Sequence, residues 1–218
     1  MEQLTGRLQE DRRILDTLLG AGRNYDVINR DLEIGQRRAR LYVIDGYGDD
    51  GVIERITSFL LGPGAKLGEE AEDMAAFVRR CITFCEVECQ SDLQKIATGA
   101  FLGKTVLLVE GFAQCALMDA KKFPGRGVEE PADARVLRGS HDGFTETLVQ
   151  NTALLRRRIR DTHLTLEAHK VGGRSQTDVV MAFLEGQADP AEVQTLRSKL
   201  DAIDVGSISM SQESIAEA

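Results

Sequence analysis

The residues best equipped for chemistry in this sequence are arginines and acids gathered in one stretch. Arg138-Gly139-Ser-His-Asp142-Gly143-Phe-Thr-Glu146 leads into Asn151-Thr-Ala-Leu-Leu-Arg156-Arg157-Arg158-Ile-Arg160-Asp161. The spacing predicts a long helix from about Gly143 to Ile159, with Ser140 or Asp142 as its N-cap and Glu146 in the first turn, where the dipole favours an acid. Arg156, Arg157, Arg158 and Arg160 crowd its last turn, where cations are favoured. Such guanidinium groups can lie in solvent, grip a phosphate-bearing ligand, or clamp carboxylates and carbonyls across a junction. The position of the helix between two similar halves of the chain points to the last role. Arg138, Gly139, Asp142, Gly143, Glu146, Asn151, Arg156, Arg157 and Arg158 are therefore the candidate junction or partner contacts, and none of them is read as a catalyst.

Other patterns are weaker. Gly46-Tyr-Gly48-Asp-Asp-Gly51 follows a strand and precedes a helix, the setting of a dinucleotide-binding loop. Asp49 and Asp50 would repel a pyrophosphate there, so a glycine corner capped by Asp49 is the better reading. Asp45-Gly46 and Glu185-Gly186 close two strands at the end where α/β folds often hold ligands, making these four residues candidate cleft corners. Cys81, Cys85 and Cys89 could gather a soft metal if they shared one helix, but the alternation of Phe84–Cys89 favours a strand and buried thiols. His141, His163 and His169 have no nucleophile elbow nearby. No catalytic activity, cofactor or metal is expected.

The elements that must position these residues are α and β in alternation. A helix is predicted over 3–19, strands over Val27–Ile34 and Ala39–Asp45, and helices over 49–61 and 69–82. A short strand over Phe84–Cys89 and a helix over 92–101 precede a hairpin, Thr105–Glu110 with Gln114–Asp119. Phe123–Ala134 reads as a loop. Strands over Leu164–Val171 and Thr177–Leu184 and a helix over 190–203 complete the pattern.

The most informative feature is an internal repeat. Strand, glycine turn, strand, acidic-glycine corner and helix occur around 31–61 and again around 168–203. Asp49 matches Asp189, Ile53 matches Val193 and Leu60 matches Leu200 at an offset of 140, whereas Gly35 matches Gly172 at 137. The second turn therefore carries three extra residues. The expected fold is α/β, two small α/β subdomains built on this repeat and linked by a long helix. The boundaries are an N-terminal helix over 1–24, a first subdomain over 25–140, the connecting helix over 141–161 and an incomplete second subdomain over 162–218.

Composition narrows the partners. A net charge of −8 argues against non-specific nucleic-acid binding. No apolar run approaches the 18 residues of a membrane span, and the N-terminus lacks the apolar core of a secretory signal. Four cysteines among 218 residues suit a reducing compartment.

One resemblance adds to this reading. Phe123-Pro-Gly-Arg126-Gly-Val-Glu129-Glu130-Pro131, the Arg138–Glu146 stretch and Asn151–Asp161 resemble the signature of the GerA/SpoVAF family of spore germination proteins. The similarity runs from about residue 25 to 205. Arg174-Ser-Gln-Thr-Asp178 and Gln187-Ala-Asp189-Pro190 are closer to the SpoVAF branch than to the nutrient-receptor A subunits. The resemblance implies a cytosolic N-terminal region, at the spore-core face of the inner spore membrane, followed by a transmembrane bundle. It implies a role in signal transmission or in assembly of a germination receptor or ion-channel complex. The implied partners are the transmembrane portion of the same longer chain, other germination membrane proteins and further copies in a homo-oligomer. The alternative is a module holding a small germinant between the two subdomains. The sequence stops before any hydrophobic span, which reads as a soluble part of a longer protein.

Overall fold

A computed structural model describes residues 2–122, 143–174 and 176–203. The chain divides into two compact units, Met1–Gly22 with Asp26–Thr162, and Arg23–Tyr25 with His163–Ala218. The architecture is mixed α/β, a five-stranded sheet in the first unit and a two-stranded sheet in the second.

In the first unit the sheet has the order β1-β2-β4-β5-β3, made of Val27–Ile34, Arg37–Ile44, Thr105–Val109, Cys115–Met118 and Val87–Gln90. Every neighbouring pair is antiparallel. β4 and β5 are buried at every residue, because both faces of the sheet are covered. Tyr42, Ile44, Val106, Leu108, Cys115 and Leu117 face α1 (Leu8–Leu19) and α5 (Leu93–Phe101). Ala39, Leu41, Leu107, Val109, Ala116 and Met118 face α2 (Asp50–Leu61) and α4 (Met74–Cys81). The period of two thus divides each strand between two cores.

Several helices start later than the sequence suggests, and side-chain hydrogen bonds explain why. α1 begins at Leu8 instead of residue 3, since Asp11 reaches back to accept from the backbone N–H of Thr5 and Gly6. The segment predicted as one helix over 69–82 is α3 (Ala65–Glu69) followed by α4, whose start is set by the Asp73 cap on the Ala76 N–H. β3 is confined to Val87–Gln90, where β5 pairs with it. The predicted long helix shortens to α6, Leu148–Arg158, with Thr147 rather than Ser140 or Asp142 at the N-cap position. Asn151 causes this. Its Oδ1 accepts from the Thr145 N–H at 2.6 Å and its Nδ2 donates to the Thr145 carbonyl at 2.7 Å. These bonds hold residue 145 away from helical geometry and leave Glu146 ahead of the first turn.

The second unit is a hairpin of β6 (Leu164–Val171) and β7 (Thr177–Leu184) followed by α7 (Pro190–Ala202). It reproduces β1, β2 and α2 in detail. Both hairpins pair eight residues with eight. The Asp45 N–H donates to the Asp26 carbonyl at 2.8 Å, and the Glu185 N–H to the His163 carbonyl at 3.0 Å. Gly46 and Gly186 turn both corners at φ of 78° and 80°, a conformation that favours glycine. Asp49 then caps α2 through the Val52 N–H, and Asp189 caps α7 through the Ala191 N–H.

Candidate functional site

The site lies within the first unit, where α6 meets the first acidic-glycine corner. Val149, Ala153 and Arg156 fall at i, i+4 and i+7, so they share one face of α6. A Cβ placed on Gly46 would sit 3.0 Å from Val149 Cγ1 and 3.1 Å from Ala153 Cβ. Glycine is needed there both for the turn and for the close approach of the helix. Tyr47, next in the chain and buried, donates its hydroxyl to the Ala153 carbonyl at 3.1 Å. Burial pushes this phenol up to about 12, against the pull of the nearby arginines.

Arg156 is the most deeply buried charge of the helix, at 1% exposure. Its Nε and Nη2 both donate to the Asp26 carboxylate, the latter at 2.9 Å from Oδ1. Its guanidinium also lies 4.5 Å from the centre of the Phe101 ring. The pair is therefore bidentate and stacked on an aromatic face, a geometry that lysine could not reproduce. Asp26 joins the pair to the corner, because its own carbonyl accepts from Asp45. Burial holds the Asp45 carboxyl above its ordinary range, and the charges of Asp26 and Asp50 add to the effect.

Two candidate groups that the sequence treats separately thus meet here: Asp45 and Gly46 from the corners, and Arg156 from the arginine run. Asn151 holds the approach to α6, as described above. Arg157 is half-buried and Arg158 exposed, while Gly143 and Glu146 are exposed ahead of the helix. Arg138, Gly139 and Asp142, with the predicted loop at 123–134, lie outside the described residues. Glu185 and Gly186 belong to the second unit, where Glu185 forms an ion pair with Arg23. Asp26, Tyr47 and Phe101 escape sequence analysis. A buried arginine requires an acid, but nothing in the spacing selects Asp26 from the acids available.

The remaining patterns resolve simply. The N-terminus of α2 is occupied by its own cap, Asp49, whose Oδ1 lies 3.1 Å from the Val52 nitrogen. Cys81 is buried in α4, Cys85 is exposed and Cys89 lies on β3. Among the described residues no group of three or more His, Cys, Asp or Glu side chains is placed to hold a metal ion.

The sequence model of the Bacillus/Clostridium GerA spore germination protein matches residues 13–218. The chain belongs to the GerA family. It is 34% identical over 199 residues to Stage V sporulation protein AF of Bacillus subtilis (strain 168), which covers 91% of this chain and 40% of that protein. Spore germination protein KA of the same organism is 23% identical over 200 residues, covering 90% of this chain and 37% of its own length. The uncharacterized membrane protein YfkQ, also from that strain, is 28% identical over 142 residues, covering 65% of this chain and 28% of that protein. The chain thus spans less than half the length of these relatives. Its fold matches the crystal structure of the N-terminal domain of the A subunit of the Bacillus megaterium spore germinant receptor GerK3. The TM-score is 0.74 at 22% identity, over 94% of this chain and 74% of that one.

Proposed function

We propose that this chain is the N-terminal, cytosol-facing region of a spore germination membrane protein and that it works through contacts rather than catalysis. It transmits a germination signal to a receptor or ion-channel complex, or holds that complex together, from the spore-core side of the inner membrane. The observation that carries this reading is a GerA match over residues 13–218 in a chain that spans only 40% of Stage V sporulation protein AF. The rest of such a protein leaves room for a membrane portion, and no helix among the described residues is long and apolar enough to cross a membrane. Its partners are that membrane portion, other germination membrane proteins and further copies of itself.

The geometry of α6 supports the reading. The Arg156–Asp26 pair and the packing on Gly46 fasten α6 to the sheet, so α6 moves with the first unit as one body. Arg157 and Arg158 follow directly and can reach a partner's carboxylates or carbonyls. A partner that binds one placement of this body better than another would bias the complex between two states. A germinant held at the first corner would have to displace Val149 and Ala153. The test is to remove codons 2–203 from the gene while keeping the rest in frame. The expected result is a protein still in the membrane fraction of spores that germinate poorly, and normal germination would overturn the proposal.

A further inference from the structure

The repeat reveals what the second unit lacks among the described residues. In an antiparallel pair, bonded and non-bonded residues alternate. The Glu185-to-His163 bond therefore fixes Asp178, Val180 and Ala182 as the residues of β7 whose N–H and C=O point away from β6. On the outer edge of β6, Leu166 is bonded: it accepts from the Tyr25 N–H and donates to Asn24. The outward groups of Asp178, Val180 and Ala182 have no hydrogen-bond partner among the described residues. Their counterparts in the first unit, Arg38, Arg40 and Tyr42, face β4: the Arg38 carbonyl accepts from Glu110 at 2.8 Å, and Ala39–Tyr42 pair with Val106–Val109.

The side chains tell the same story. Val179-Val-Met-Ala-Phe-Leu184 carries no charge, whereas β1, one of the two edge strands of the first sheet, carries Arg30, Asp31 and Glu33, charges that discourage pairing. The counterparts of Val179 and Met181 are Ala39 and Leu41, both buried beneath α2, β4 and β5. Leu196 of α7 is 50% exposed, but its counterpart Ile56 is 5% exposed.

We propose that the outer edge of β7 is the docking site of an antiparallel strand from the same chain beyond Ala218, in the place that β4 takes beside β2. This rests on the reading above that the chain continues. At the offset of 140 residues the counterpart of β4 would begin at about position 245, past the last residue here. This chain covers 74% of the matched GerK3 domain, so part of that domain has no counterpart here. The strand would be apolar on both faces, as β4 is, and would cover Leu196.

Amide hydrogen exchange tests this on two forms, the 218-residue chain and one extended through about fifty further codons. The Val180 and Ala182 amides should exchange freely in the short form and at least about 100-fold more slowly in the long one. Ala182→Pro, which removes an outward N–H and none that bonds β6, should lower the melting of the long form more than that of the short form. Free exchange in both forms would overturn the proposal. Protection already present in a monomeric short form would assign the edge to a segment within the 218 residues, and protection in a dimeric one to a second copy; either result also overturns it. A stop codon after Ala218 would instead remove the reading of a longer protein on which the proposal rests.

Discussion

The two copies of the repeat share a local code and differ in what holds the helix down. In the first, α2 is fastened by Ile56 and Leu60, which join Leu32 and Leu41 in a core closed by β4 and β5. In the second, the counterparts of Leu32, Thr57 and Leu61 are His169, Arg197 and Asp201. There α7 is tied to β6 mainly by Arg197, whose Nε and Nη2 grip Glu167 at 2.8 and 2.7 Å, with Val193 as the only buried residue of the helix. His169 sits between the two acids, 3.1 Å from Glu167 and 3.8 Å from Asp201. Capping and turn chemistry are thus sufficient to build a hairpin-helix unit, but an apolar attachment needs further strands to close over it.

Substitutions at matched positions sharpen this contrast. The largest effect is expected in the first unit, where Arg156→Ala takes the bidentate partner from the buried Asp26 carboxyl. Breaking such a pair should cost about 3–5 kcal/mol in denaturant titration. Leu60→Ala should cost about 2–5 kcal/mol, because its site is closed, while Leu200→Ala, half-buried in the second unit, should cost less than about 1 kcal/mol. Equal losses at Leu60 and Leu200 would show that both helices are held by closed apolar cores. The caps should behave alike: Asp49→Ala and Asp189→Ala should each cost about 1 kcal/mol.

The smallest effects are those of pH, and they run in opposite directions. The Arg197 hydrogen bond holds the Glu167 carboxyl below its ordinary range. Its contribution is present above the ordinary glutamate range and is lost as pH falls through the lowered folded value. Asp45 is raised by burial, so folding favours its protonated form. Its contribution is greatest in acid and is lost as pH rises through the raised folded value. Carbon-detected NMR titration of the two carboxyls should show Glu167 titrating below, and Asp45 above, their unfolded counterparts. Asp45→Asn should stabilise the first unit slightly at neutral pH.

Much of the fold is legible in the sequence because the repeat is written in residues with narrow tolerances. Gly46 and Gly186 fix the corners, Asp49 and Asp189 fix the helix starts, and the three extra residues appear as a longer turn between β6 and β7. The helix boundaries at Leu8 and Leu148 are not legible, since they depend on Asp11 and Asn151 reaching back to backbone groups that only the folded chain presents. In the candidate site, the arginine run marks the right helix. It does not show which arginine turns inward, because that depends on α6 meeting Gly46 with Val149 and Ala153 and so aiming position 156 at Asp26. The partner residues Asp26 and Phe101 lie far from the helix in sequence and carry no signature of their own.

We propose that this chain works through the contacts of a firmly held α6. The most direct measurement compares germination with stability for Arg157→Ala in the full-length protein and in the 218-residue chain. The expected result is slowed germination, or loss of the assembled complex, with the melting temperature of the chain lowered by no more than about 2 °C, as for a change away from the core. Spores carrying Arg157→Ala that germinate at the normal rate with the complex intact would contradict it.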